Sequence, residues 1–145
     1  MVDKGVLGTG FYFDDLAVGD TFRTMQRTIV EADLAAFVNL TWLTEELFTV
    51  EDINKGLVPG ALVYSFAEGL LLPMMQHTGL AFLEADLRVR GPTCVGDTIR
   101  VECEVIEARA TSDGKRGLVR TRNRVVRQDG EATLEYNPLR MLRRR

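Results

Sequence analysis

The stretch Pro59-Gly-Ala-Leu-Val-Tyr-Ser-Phe-Ala-Glu-Gly-Leu-Leu-Leu-Pro-Met-Met-Gln76 decides the fold. From Ala61 to Gln76 it is apolar on almost every side, through Leu62, Val63, Phe66, Ala67, Leu70, Leu71, Leu72, Met74 and Met75. A helix that is apolar all round is buried all round. Pro59-Gly60 opens it, and Gly79 marks its end. Pro73 has no amide hydrogen to donate, so a kink or break is expected near Leu72. After Gly79 the apolar period changes to two. Leu83, Ala85, Leu87 and Val89 alternate with Glu84, Asp86, Arg88 and Arg90 over Phe82 to Arg90. Ile99, Val101, Cys103 and Val105 alternate with Arg100, Glu102 and Glu104, and Val119, Thr121, Asn123 and Val125 with Arg120, Arg122 and Arg124. Such alternation predicts strands with one buried and one wet face. Asp113-Gly114 and Asp129-Gly130 are hairpin turn signals. Pro138 interrupts the last strand, Ala132 to Leu142, which suits an edge or bulge. A long antiparallel sheet wrapped around one apolar helix is therefore predicted, an α+β architecture of the hot-dog kind. A ferredoxin-like sandwich wants a second long helix between strands, and Gly79 to Arg145 shows none.

Ahead of the central helix, Thr21 to Thr28 reads as an opening strand. Thr28-Ile-Val-Glu31 has capping-box spacing for a helix running to Leu40, with Leu34, Phe37 and Val38 on its apolar side. Thr49-Val-Glu-Asp52 starts a second, short helix in the same way, stopping at Gly56. Val18-Gly-Asp-Thr-Phe-Arg23 is echoed by Val95-Gly-Asp-Thr-Ile-Arg100, which reads as two equivalent tight turns entering strands.

The chain has 145 residues, 46% of them apolar, with a net charge of -3. That suits one domain over 1–145 with a core of its own. Cys94 and Cys103 form neither a disulfide framework nor a metal-ligand spacing. A single histidine, His77, excludes any two-histidine mechanism. The opening residues lack a secretory apolar region, and Gly69 to Met75 is too short to span a membrane. A soluble, cytoplasmic protein is expected, bound neither to a membrane nor to nucleic acid. Charge is uneven: residues 1–80 hold four Lys and Arg against eleven Asp and Glu, and residues 81–145 hold fourteen against ten. The arginine-rich half suits an anionic partner in principle. Glu84, Asp86, Glu102 and Glu104 are interleaved with those arginines, however, and point to cross-strand ion pairs on a solvated face.

Phe11-Tyr-Phe-Asp-Asp-Leu-Ala-Val-Gly-Asp-Thr-Phe22 and Arg27-Thr-Ile-Val-Glu-Ala-Asp-Leu-Ala-Ala-Phe-Val-Asn-Leu-Thr41 resemble the opening of MaoC-like acyl dehydratases, the family of (R)-specific enoyl-CoA hydratases. Arg90-Gly-Pro-Thr-Cys-Val-Gly-Asp-Thr-Ile-Arg-Val-Glu-Cys-Glu-Val105 and the distal Gly117 to Glu131 fit the same family. The resemblance covers about residues 11–142. It implies a hot-dog homodimer, or a dimer of dimers, acting on a coenzyme A or acyl-carrier thioester without a cofactor. Family hydratases place an Asp and a His a few residues apart after the first helix, to take and orient the protons of an added water. Anchored on Leu40-Thr41, those positions fall on Leu43 and Phe48, which transfer no protons. A gap of one brings Glu45 or Glu46 to the Asp position, and no shift supplies a histidine.

Glu68 lies eight residues after Gly60, a spacing similar to that of hot-dog thioesterases, where an acid on the central helix attacks or activates at the thioester carbonyl. Burial would raise its pKa toward a useful range. The alternative is a structural carboxylate paired with an arginine. Those enzymes often carry a histidine before the glycine, where this chain has Pro59. Gly60 at the helix start offers backbone amides to a thioester oxygen. Tyr64 and Ser65 are further donors, or else packing and helix-backbone partners. Trp42, Phe48, Met74 and Met75 suit an acyl tunnel or the core it runs through. Glu45 suits the pocket mouth or an exposed helix start. His77, at a helix end, is either a catalyst needing a carboxylate or a cation set against the helix dipole. Three functions follow: a hydratase working through non-standard residues, a thioesterase using Glu68, and an acyl-thioester binder without turnover.

Overall fold

The structure, a computed structural model, describes residues 1–6, 10–49 and 56–145. In chain order the strands are β1 (Asp3–Val6), β2 (Thr21–Arg23), β3 (Arg27–Thr28), β4 (Gly79–Glu84), β5 (Leu87–Val89), β6 (Thr98–Ala110), β7 (Arg116–Arg127), β8 (Ala132–Tyr136) and β9 (Leu139–Arg143). The helices are α1 (Glu31–Thr41), α2 (Glu46–Thr49), α3 (Gly60–Leu70) and α4 (Leu72–Met75). The strands form one sheet, ordered β1-β2-β6-β7-β8-β5, with β3 also on β6 and with β9 joining β7 to β4. β6 and β7 are its long antiparallel spine.

The sheet curls around α3, but the helix is not buried all round as expected: Leu62, Val63 and Ala67 are buried, while Ala61, Ser65 and Gly69 on the other side are exposed. Leu62, Val63, Ala67 and Leu71 are buried against the inward residues Val101, Cys103, Val105, Val119, Val125 and Leu134. Fully burying one such aliphatic side chain contributes about 1.5–3 kcal/mol, so this layer dominates the stability of the fold. The helix breaks at Leu71, and Pro73 sits in the first turn of α4, where its missing amide hydrogen costs nothing. No helix among the described residues is long and apolar enough to cross a membrane. On the outer face the arginines meet carboxylates. Arg100, Glu102, Arg124, Glu135 and Arg90 form one cross-strand ladder, and Arg122 pairs with Glu104. These pairs are half-exposed and each contributes about 0–1 kcal/mol.

Three local expectations change. The opening strand expected over Thr21 to Thr28 is two short strands, β2 and β3, separated by residues 24–26. Thr28 does not cap α1: it lies in β3, and its hydroxyl shares a hydrogen bond with that of Thr98. The cap comes from Asp33, whose Oδ2 accepts the Val30 amide at 2.9 Å. The expected strand Phe82–Arg90 is two strands, because its partner is also broken. Pro138 cannot donate to a ladder, so β8 and β9 separate at Asn137-Pro138, and Asp86 bridges to Asn137 across the gap. Both pieces lie at sheet edges, so every residue of β4 and β5 is exposed instead of alternating. The short helix expected from Thr49 to Gly56 falls mostly on residues 50–55, outside the described residues; α2 forms just before it. The sequence echo is a structural one. Gly19 and Gly96 adopt φ of 93° and 97°. Asp20 and Asp97 each accept the amide three residues before them, at 2.9 and 2.8 Å.

Candidate functional site

The N-terminus of α3 opens into a cavity of about 180 Å³. Phe48, Val58, Gly60, Val63, Thr133 and Leu134 contribute to its wall. Its position follows from local chemistry. Pro59 is extended (φ -61°, ψ 143°) and stops the helix from starting earlier. Its carbonyl takes the amides of Leu62 and Val63. The amides of Gly60 and Ala61, in the first turn, have no intrahelical acceptor and carry the positive end of the helix dipole. Gly60 keeps that end open: a Cβ there would lie 3.2 Å from Val89 Cγ2. Val89 also lines the cavity, yet it is 61% exposed on the edge strand β5, so the cavity reaches that edge.

The opposite wall is made by a β-bulge. Val125 faces Leu134 and Val126 faces Ala132, which leaves Thr133 as an extra residue. A bulge re-aims the side chain it carries. Thr133 is 2% exposed, and its hydroxyl has no hydrogen-bond partner in the protein. Its carbonyl accepts the Arg90 amide at 2.8 Å, which ties the bulge to the end of β5. Among the described residues lining the cavity there is no acid, base or cation.

Of the residues singled out in the sequence, Phe48 and Gly60 meet at this cavity, and buried Pro59 adjoins it. The others lie elsewhere. Trp42 ends α1 with φ 62° and is 85% exposed. Glu45 is exposed, and its carbonyl accepts the Phe48 amide and the Thr49 hydroxyl. His77 is exposed in the turn before β4, with φ 69°. Ser65 donates to the Ala61 carbonyl at 2.8 Å. Tyr64 packs against Tyr136 with the rings tilted by 55° and their centres 4.8 Å apart. Burial, helped by the Glu68 charge, pushes the Tyr64 hydroxyl above the ordinary tyrosine range. Met74 is buried in the core, with Met75 packed against it.

Glu68 belongs to a separate cluster. Arg140 Nη2 and the Tyr136 hydroxyl both donate to its Oε2, at 2.5 and 2.7 Å. Arg140 is 3% exposed and lies over the Phe82 ring. Burial first, then the Glu68 charge and hydrogen bond, drive the Tyr136 hydroxyl well above its usual range, so it stays a donor. Burial likewise keeps the Cys103 thiol protonated. The pairing of Glu68 with Arg140 joins residues 72 apart, half the chain length, and has no short-range sequence signal. Thr133 had none either: Val125-Val126 breaks the alternation of β7, but so does Leu118-Val119, so the pair does not single out the bulge.

No family model matches the chain. A mesaconyl-CoA hydratase of Cereibacter sphaeroides is 28% identical over 144 residues, covering 94% of this chain. The chain spans 42% of that relative's length. A MaoC domain protein dehydratase from Chloroflexus aurantiacus superposes with a TM-score of 0.88 at 28% identity, over 94% of this chain and 41% of the other. A protein of double hotdog fold from Mycobacterium tuberculosis superposes with a TM-score of 0.78 at 25% identity, over 94% of this chain and 45% of the other. A MaoC-like dehydratase and two (R)-hydratases, at 21–24% identity, share the fold. The chain has the hot-dog fold, and its similarities by sequence and shape are to MaoC-like dehydratases and hydratases.

Proposed function

We propose that this chain binds acyl thioesters at the α3 N-terminus and, by itself, does not hydrate them. Phe48 carries this reading. It stands where the family resemblance places the catalytic histidine, and its phenyl ring helps to wall the cavity. The position of the paired aspartate falls on Leu43. The thioester carbonyl is received by the free amides of Gly60 and Ala61, where a developing negative charge is favoured. The acyl group enters the apolar cavity behind them. Among the described residues lining the cavity a bound enoyl group meets no side chain that takes up or returns a proton, and water addition needs both. Glu68 is a structural carboxylate in this account, because Arg140 and Tyr136 already share the oxygen it would offer.

The chain acts as a homodimer joined through the β4–β5 edge. That edge presents unpaired backbone groups together with exposed Leu80, Phe82, Leu83, Leu87 and Val89. An exposed apolar edge is a template for strand pairing. Joining there also covers the cavity where Val89 reaches the surface.

Calorimetric titration with butyryl-CoA, followed by an assay for free thiol, tests the proposal. Saturable binding without thiol release is expected. Absence of binding contradicts it. Thiol release contradicts it too, and makes the chain a hydrolase in which Glu68 regains a catalytic part.

A further inference from the structure

We infer that the Thr133 hydroxyl donates a hydrogen bond to the carbonyl oxygen of the bound thioester, from the wall across the cavity from the α3 amides. The inference rests on the acyl-thioester reading above and adds to it a binding residue supplied by the sheet. Gly60 and Thr133 line one cavity, the first at the start of α3 and the second on β8. The end of β5 links them. A Cβ on Gly60 would lie 3.2 Å from Val89 Cγ2, and the next two amides, of Arg90 and Gly91, both donate to the Thr133 carbonyl, at 2.8 and 3.3 Å. The bulge also decides where Thr133 points. Consecutive residues of a regular strand face opposite sides of the sheet. Thr133 and Leu134 are consecutive, yet both are buried and both line the cavity, because the bulge leaves Thr133 without a residue opposite it.

Among the described residues, four have buried side-chain polar atoms without a hydrogen-bond partner, and of these Thr133 is the one that lines this cavity. A buried hydroxyl without a partner is costly, and an acceptor brought against it removes that cost. A thioester oxygen has two lone pairs and no hydrogen, so it accepts from two directions. The helix amides of Gly60 and Ala61 take one side of it and the Thr133 hydroxyl takes the other. Held between α3 and β8, the carbonyl has its orientation fixed by two separate elements, and the sheet shares in binding with the helix.

The test compares butyryl-CoA with S-butyl-CoA, the thioether in which a methylene replaces the carbonyl. Both are titrated into the full chain by calorimetry, and the bound butyryl carbonyl is followed by isotope-edited infrared spectroscopy. In the unchanged chain butyryl-CoA should bind more tightly than the thioether, and its carbonyl band should move to lower wavenumber on binding. Thr133→Val has nearly the same shape without the hydroxyl. It should bind butyryl-CoA about fivefold more weakly, leave S-butyl-CoA affinity unchanged, and return the carbonyl band part of the way to its free position. Thr133→Ser, which keeps the hydroxyl, should leave the band where the unchanged chain holds it. If the valine variant does not fold, Thr133→Ala takes its place in the same comparison. A carbonyl band unmoved by Thr133→Val, or an equal loss of affinity for both ligands, overturns the role of Thr133 and leaves acyl-thioester binding standing. Failure of butyryl-CoA to bind the unchanged chain overturns both this inference and the reading beneath it.

Discussion

Phe48 and Leu43 carry the difference between binding and turnover in this account. The double variant Leu43→Asp, Phe48→His returns a proton-transfer pair to the positions at which the family resemblance places it. It is expected to hydrate crotonyl-CoA at least about a hundredfold faster than the unchanged chain, read as loss of the enoyl absorbance. Gly60 is the second determinant. In Gly60→Ala the added methyl meets Val89 at 3.2 Å and narrows the approach to the helix amides. Butyryl-CoA affinity should fall by about tenfold, seen by calorimetry, since neither a lost hydrogen bond nor a crowded carbonyl is tolerated at so close a contact. The sequence made Gly60 and Phe48 legible because both sit in local motifs. It left Thr133 unread, because a bulge is a mismatch between two strands and neither strand states it alone. Glu68 was visible as an acid on an apolar helix, but its partner Arg140 comes from a strand seventy-two residues away.

At the scale of elements, the ion pair between Glu68 and Arg140 joins α3 to β9. Glu68→Gln leaves the Arg140 charge buried without a counter-ion, and should cost about 3–5 kcal/mol in urea unfolding. Adding Arg140→Met should recover much of that loss, because two apolar or neutral groups carry no stranded charge. The turn before β2 supplies a pH dependence. Burial pushes the Asp20 carboxyl up, but the Ala17 and Val2 amides and nearby Lys4 outweigh burial and hold it below the ordinary range. A group depressed in the folded state stabilises fully above its unfolded pKa of about 3.9, and that stability is lost as the pH falls through the folded value. Asp20→Asn should therefore lower the melting temperature near neutrality, and the gap to the unchanged chain should shrink below about pH 4. The paired turns at Gly19 and Gly96 were readable from six-residue echoes because one tight turn demands the same residue types wherever it occurs. The cap of α1 was misplaced by two residues, because Thr28 was already engaged with Thr98 on a neighbouring strand.

For the whole molecule, hydropathy period decided the architecture. One strongly apolar helix, followed by strands of period two, leaves few ways to bury both, and the sheet around α3 is the result, with only the small residues Ala61, Ser65 and Gly69 left exposed on the helix. The period fails most completely at β4 and β5, where both faces are open in a single chain. That failure is informative, since it falls on the edge assigned to the dimer. Light scattering should give a dimer for the unchanged chain. Leu87→Lys should shift it toward monomer and weaken butyryl-CoA binding, because Val89 and the cavity lie on the same edge.

In the proposed function the fold holds an acyl thioester at a cavity whose described lining includes no proton-transfer pair. The most direct test is to titrate crotonyl-CoA against the unchanged chain while following the enoyl absorbance to equilibrium. Saturable binding with the enoyl absorbance preserved is the predicted result. Loss of that absorbance at a rate proportional to protein concentration would show that the chain hydrates its ligand, and would contradict the account.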